Sequence, residues 1–385
     1  IAGHDRRASL VDKPSAFDKF RDKVGQFFGA DDPDAHAPVP PAVDPAAPPP
    51  SDAPDPAPPV PLAPADPVNT PPTSAAPLPA EPPVEPTPAP PAATASAICL
   101  DCGGTVDADG YCTSCGAKAP TEREHFEETP APWVAAVCDR GRVHARNEDA
   151  LATSASPTRG SRANLVICDG VTTSENSDVA SLAAARAARD VLTSERLEDM
   201  LSPASRTASV SGLLARAAAA ANDAVVASTD AGSTNPAAST FVAAVIIDDV
   251  LHVGNVGDSR VYWLPDEGPG TILTSDDSLA EASIAAGVPR KQAETAADAH
   301  TITRWLGIDA KDVVPHVNST PLAEAGWVLV CSDGLWNYAS EPDALATVLH
   351  AAPTASASPL DVAKSLVRWA NGQGGHDNIS VAVAR

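Results

Sequence analysis

Asn164-Leu-Val-Ile-Cys-Asp169-Gly170 is a short apolar run of β type that delivers a carboxylate at its end and then turns on a glycine. The same arrangement returns at Trp327-Val-Leu-Val-Cys-Ser-Asp333-Gly334. A third acid, Asp377, stands in Gly374-Gly-His-Asp-Asn378, immediately ahead of a last apolar run. A single aspartate in such a place is usually a turn or cap residue. Three of them at strand mouths suggest a site for a hard metal ion, because carboxylate oxygens suit Mg2+ and Mn2+.

The surrounding text, residues 133–385, is that of one packed domain. Strand-like runs fall at 133–138, 164–168, 240–247, 250–256, 260–264, 327–331 and 379–383. Ala- and Leu-rich helical runs fall at 178–194, 210–229, 278–287, 343–350 and 361–371. Asp248-Asp249, between two of the strands, predicts a tight hairpin. Helices grouped in pairs between groups of strands point to an α+β layered fold, not an alternating doubly wound one. Two more acidic sites lie at junctions of apolar runs and polar loops. Glu148-Asp149 close Gly141-Arg-Val-His-Ala-Arg-Asn-Glu-Asp-Ala150, and Asp258 lies in Gly254-Asn-Val-Gly-Asp-Ser-Arg260.

Ahead of this domain the composition changes. Residues 121–132 read as an acidic connector. Residues 98–120 hold Cys99-Leu-Asp-Cys102-Gly and Cys112-Thr-Ser-Cys115-Gly, two knuckles whose glycines permit the turn that aims a pair of thiolates at one ion. Four soft thiolates in a closed shell select structural Zn2+, so this segment is expected to be a zinc ribbon that needs its metal to fold. Residues 31–97 carry 25 of the chain's 40 prolines and no Lys, Arg or aromatic residue, which is the composition of an extended, disordered linker. Residues 1–30 contain one amphipathic helix candidate over 15–28, with Phe17, Phe20, Val24, Phe27 and Phe28 on one face. It suits either a terminal helix or a docking helix for a protein partner.

The formal net charge of -24 over 385 residues argues against nucleic acid or an anionic membrane as the main partner. No run approaches the roughly 18 apolar residues of a spanning helix, and residues 1–7 lack the pattern of a signal peptide. Four of the seven cysteines come in pairs, and Cys138, Cys168 and Cys331 each lie in an apolar run. Metal ligands plus buried thiols imply a reducing compartment, and a cytoplasmic protein is expected.

Asn-Glu-Asp149-Ala, Cys-Asp169-Gly, Val-Gly-Asp258-Ser-Arg, Ile302-Thr-Arg-Trp-Leu-Gly307, Ser-Asp333-Gly-Leu-Trp336 and Gly-His-Asp377-Asn occur in this order. Together they resemble the metal-dependent Ser/Thr phosphatases of the protein phosphatase 2C (PPM) type over residues 133–385. The Ala-rich text behind a zinc ribbon is similar to the actinobacterial form. The resemblance implies two packed antiparallel β-sheets flanked by helices, an αββα sandwich, with two Mn2+ or Mg2+ ions at one end. It implies that Asp169, Asp333 and Asp377 ligate the ions, Asp169 bridging them and Gly170 offering its carbonyl. Glu148 and Asp149 fall on the motif that holds the second ion directly or through water, and Asp258 on the position of an accessory third ion. The implied activity is hydrolysis of phosphoserine and phosphothreonine on proteins, the products of Ser/Thr kinases, by metal-activated water.

The pattern is broken in three places. The family's phosphate-binding Arg lies four residues before the Glu of the Glu-Asp pair, and here that place is His144, flanked by Arg142 and Arg146. Imidazole gives one hydrogen bond where guanidinium gives two, so His144, Arg146 and Arg142 together become the candidate phosphate contacts. The loop after Gly170 reads Val171-Thr-Thr, without the His that serves some relatives as leaving-group acid. Asn337 replaces the usual Asp beside the third ion, which should weaken that ion. These departures motivate an alternative, a catalytically weak adaptor that binds phosphoproteins.

Overall fold

Leu165 and Ile167 point to one side of their strand, Val166 and Cys168 to the other, and all four are fully buried. A strand covered on both faces reads as a continuous apolar run. The structure is a computed structural model that describes residues 98–100, 102–195, 202–351 and 358–385, all within the unit Ala89–Arg385. The helix expected at 15–28 and the linker expected at 31–97 lie outside the described residues.

In chain order the strands are β1 (His125–Ala131), β2 (Val134–Asp139), β3 (Asp149–Ala155), β4 (Arg162–Asp169), β5 (Ala238–Ser239), β6 (Phe241–Ile247) and β7 (Val250–Val256). They continue with β8 (Arg260–Pro265), β9 (Thr271–Ile272), β10 (Leu306–Gly307), β11 (His316–Pro321), β12 (Gly326–Cys331) and β13 (Ile379–Ala384). The helices are α1 (Ser177–Ser194), α2 (Pro203–Ala227), α3 (Leu279–Ala285), α4 (Arg290–Glu294), α5 (Asp333–Trp336), α6 (Pro342–His350) and α7 (Pro359–Gln373).

One sheet has the order β1-β2-β13-β12-β8-β9, the other β11-β7-β6-β4-β3, and every pairing in both is antiparallel. Leu165, Ile167, Val242 and Ile246 of the second sheet meet Val134, Ala136, Val328 and Val330 of the first between the layers. Each buried aliphatic side chain contributes about 1.5–3 kcal/mol. On the outer faces, α1 and α2 cover Val166, Ala243 and Val245, while α6 and α7 cover Leu329, Val381 and Val383. The result is the expected αββα sandwich. The Ser358 and Asp361 side chains start α7 with a reciprocal capping box. Asp248 and Asp249, at φ 48° and 58°, make the two-residue hairpin between β6 and β7.

One expectation needs correction. Residues 121–132 are not a connector: β1 lies inside them and is the edge strand of the six-stranded sheet. Helix residues 204–227 form a segment of mean hydropathy 1.2 that is long and apolar enough, by length and composition, to cross a membrane. Its Leu213, Leu214, Ala217, Ala218, Ala221 and Val225 are fully buried against α1 and the sheet, which is the environment of a core helix.

Candidate active site

The register of β3 against β4 sets Asp149 directly across from Asp169. There β4 ends: the Asp169 carbonyl accepts from Thr240 N at 2.7 Å and from Ser239 Oγ at 3.0 Å. Gly170 N donates to Glu148 O at 3.1 Å. A Cβ on Gly170 would lie 2.7 Å from Ser177 O and 2.8 Å from Glu148 O, both backbone atoms, so only glycine fits. From the facing sheet, β12 leads through Ser332 into α5, whose first residue is Asp333, and Asp377 stands two residues before β13. Ser332 Oγ donates to Asp149 Oδ2 at 2.6 Å, joining the two sheets at this end of the sandwich.

Asn378 organises the loop that completes the site. Its Oδ1 accepts from Glu148 N at 2.7 Å, and its Nδ2 donates to Arg140 O and Arg146 O at 2.8 and 3.0 Å. Ser332 and Asn378 were not singled out in the sequence, although each adjoins a predicted ligand aspartate.

The acids repel one another. Burial, followed by the charges of Asp149, Asp333, Asp377 and Asp258, pushes the Asp169 carboxyl well above the usual range. Burial followed by Asp377 and Asp258 does the same to Asp333. Asp149 rises to about 6, through burial first and, among its neighbours, the charge of Asp377. Asp258 rises to about 7, through burial and the charge of Asp276. Glu148 Oε2 is buried without a hydrogen-bond partner, with only His144 Nδ1 3.5 Å away. Such a cluster demands protons or cations.

His144 sits at its mouth, Nδ1 toward Glu148 and Nε2 3.5 Å from Asp377 Oδ1. The Arg140 guanidinium holds the His144 carbonyl. Arg146 Nη2 lies 3.1 Å from Glu148 Oε1 and Nη1 3.6 Å from Asp178 Oδ1, with half its side chain exposed. Arg142 is not brought to the acids: its Nε donates to Asn371 O at 3.1 Å at the end of α7. The reason is local, because Arg142 N and Val143 N both pair with Gly375 O and turn this part of the loop outward. Cys138, Cys168 and Cys331 are fully buried, and burial pushes their thiols far up, Cys138 to about 12.

The four cysteines of 98–120 gather separately. Their Sγ atoms all lie within 4.8 Å of one another, with Cys99–Cys115 at 3.7 Å and Cys102–Cys112 at 3.4 Å. Gly103 N donates to Cys99 O and Gly116 N to Cys112 O, each at 2.9 Å, and both glycines are left-handed at φ 72° and 76°. The two knuckles repeat one backbone turn.

Residues 140–370 match the family model described as protein phosphatase 2C. The serine/threonine phosphatase stp of Listeria monocytogenes serotype 4b (strain F2365) is 28 % identical over 251 residues, covering 63 % of this chain and 91 % of its own length. The serine/threonine phosphatase PstP/Ppp of Mycobacterium tuberculosis superposes with a TM-score of 0.51 at 26 % identity, over 65 % of this chain and 97 % of that one. The S. agalactiae serine/threonine phosphatase shares the fold, at TM-score 0.54 and 24 % identity, over 67 % of this chain and 98 % of that one. The family pattern runs through more than half of the sequence, from the loop beside the carboxylates into α7, and the chain belongs to the protein phosphatase 2C family, as a metal-dependent protein serine/threonine phosphatase.

Proposed function

We propose that the chain removes phosphate from phosphoserine and phosphothreonine on proteins, with two Mn2+ or Mg2+ ions held by the carboxylates at the strand ends. The observation that carries this reading is the gathering of acids at one end of the sandwich, where Asp149 faces Asp169 across β3 and β4 and accepts from Ser332, the residue before Asp333; burial, with nearby acidic charge, pushes the carboxyls of Asp149, Asp169, Asp258 and Asp333 up. Burial and like charge disfavour the ionised form of these acids, and a bound divalent cation would favour it. Asp169 would bridge the ions and Gly170 would offer its carbonyl, with Asp333 and Asp377 completing the set. Glu148 and Asp149 would hold the second ion, a role that the unpartnered Glu148 Oε2 supports. Asp258 would take a weak third ion, with the amide of Asn337 in place of a carboxylate.

Bound divalent ions supply Lewis-acid activation of water and neutralise charge on the phosphoryl oxygens, which a very slow phosphomonoester hydrolysis requires. The side chains do the rest. Arg146 offers a half-exposed guanidinium to the phosphate, and His144 a second, weaker donor. His144 Nε2, 3.5 Å from Asp377 Oδ1, would give the leaving alkoxide its proton. Arg142 has no part in this reading.

The cysteine cluster fits a structural zinc. A tetrahedral ion with Zn–S bonds of about 2.3 Å sets sulfurs about 3.8 Å apart, close to the spacings of the two pairs. A reducing, cytoplasmic setting accords with seven unbridged thiols.

The test is Mn2+-dependent hydrolysis of a phosphothreonine peptide by the full chain and by Asp333→Asn. Turnover should vanish with chelator and fall by more than about 100-fold in the variant. No turnover by the unaltered chain at saturating Mn2+ would move the reading to a phosphoprotein-binding adaptor.

A further inference from the structure

Between the cysteine loops and the catalytic domain runs a groove of about 750 Å3. Its lining brings together five cationic side chains, Lys118, Arg140, Arg142, Lys364 and Arg368. Among the described residues, the carboxylates of the lining are Glu124, Glu127 and Asp139. Across the whole chain the balance is reversed, with 26 basic and 50 acidic residues. The groove is a positive island on an acidic molecule.

These carboxylates are engaged, and with them two of the cations, Arg140 and Lys364. Arg140 Nε lies 3.3 Å from Glu124 Oε1, Lys364 Nζ 2.9 Å from Glu127 Oε1, and His125 Nδ1 2.6 Å from Asp139 Oδ2. Lys118, on the cysteine-loop side, and Arg368, on α7, are exposed. Ile98 and Leu100, 70 % and 48 % exposed, add apolar surface to the same lining.

The groove shares a wall with the active site. Residues 139–142 line it, and their backbone is pressed against the loop that carries Asp377. A Cβ on Gly141 would lie 2.1 Å from the Asp377 carbonyl oxygen, and Arg142 N donates to Gly375 O at 2.8 Å. A few residues further along the same loop, His144 faces Asp377 itself. The strand of loop that bounds the groove on one side thus bounds the phosphate site on the other.

We propose that this groove binds an acidic segment of the phosphoprotein substrate, flanking the residue to be dephosphorylated. The proposal rests on the phosphatase reading above. An enzyme of strongly negative charge repels acidic substrates at long range. A local cluster of cations reverses that sign where the substrate chain would lie, and charges of this kind act mainly on encounter rate and salt dependence. Ile98 and Leu100 give an apolar residue of the segment somewhere to rest.

The experiment pairs direct binding with turnover, using the full chain. A dye-labelled, non-phosphorylated peptide rich in Asp and Glu should bind in fluorescence polarisation, and more weakly as salt rises. Its affinity should fall about tenfold in the Lys118→Glu, Arg368→Glu double variant, with a smaller loss in Arg368→Glu alone. A phosphothreonine peptide with acidic flanks should exceed a neutral-flanked one in kcat/KM by about tenfold in the unaltered chain and not in the double variant. Turnover of p-nitrophenyl phosphate should be the same in both proteins. Equal affinity of the two proteins for the acidic peptide would overturn the proposal, as would tighter binding of a single-stranded oligonucleotide than of the peptide. Absence of all phosphopeptide turnover would sink the phosphatase reading, and the polarisation titration would still decide the groove.

Discussion

Asn337 Nδ2 donates a hydrogen bond to Asp333 Oδ2 at 3.1 Å, so a neutral amide faces a carboxyl that burial and the charges of Asp377 and Asp258 already push up. Restoring an acid there, with Asn337→Asp, adds a like charge beside Asp333. The metal-free variant should melt about 2–4 °C lower, the equivalent of roughly 1 kcal/mol. Mn2+ titrated calorimetrically should bind it with an additional or tighter site. An unchanged melting temperature in chelator would show that the amide does not relieve the cluster.

The raised carboxyls give metal-free protein an unusual pH profile. Unfolded aspartates titrate near 3.9, whereas Asp149 and Asp258 rise to about 6 and 7 in the fold, and Asp169 and Asp333 rise as well. The folded state therefore binds protons more tightly than the unfolded chain, and this part of the stability is lost as pH climbs from about 4 through 7. Acids with lowered values, Asp139 and Asp266 among them, work in the opposite sense and lose their contribution as pH falls below about 4. Melting temperatures in chelator should decline from pH 5 to pH 8. Saturating Mn2+ should abolish the decline.

Kinetics of three single variants separate the phosphate contacts. Arg146→Ala and His144→Ala should each raise KM for a phosphopeptide by about tenfold, a loss of roughly 1.4 kcal/mol of binding. His144→Ala should also lower kcat, most at the acidic end of the profile where the imidazole carries the proton it gives to the leaving group, and least at alkaline pH. Arg142→Ala should leave p-nitrophenyl phosphate turnover as it is, since the guanidinium is turned to Asn371. A kcat defect in Arg142→Ala alone would reverse the assignment.

Elemental analysis of the purified chain should find one zinc in addition to any Mn2+ or Mg2+. Cys112→Ser should lose the zinc and expose residues 98–120 to protease, while p-nitrophenyl phosphate turnover persists. Retention of zinc by a Cys112→Ser, Cys115→Ser double variant would show that the ion sits elsewhere.

The sequence revealed most where a strand is buried on both faces. Leu165 to Cys168, Val328 to Cys331 and Val381 to Val383 are unbroken apolar runs, and each forms the strand it predicts. β1 escaped notice because His-Phe-Glu-Glu-Thr-Pro-Ala keeps an exposed edge and carries a proline, both edge-strand traits. β11, His-Val-Asn-Ser-Thr-Pro, was hidden for the same reason, and Asp-Ala-Leu-Ala-Thr-Ser-Ala in β3 has Thr153 as its single β-branched residue. At the site, the acids were legible because strand ends and glycines mark them. The Ser332 hydroxyl and the Asn378 amide were not, since their value lies in partners 183 and 230 residues away. The direction of Arg142 is not legible for a related reason: it depends on a backbone pairing with Gly375.

β13 lies between β2 and β12, and its register pairs Ile379 with Asp139. A strand emerging late from the ribosome must therefore insert beside one made some 240 residues earlier, a pairing of high loop-closure cost. Asp377 and Asn378 enter with it. A nascent chain that has already assembled its five-stranded sheet still lacks an acid and the amide that orders its phosphate loop. Hydrolytic competence therefore waits for β13, and a nascent chain that has not yet delivered it stays inert.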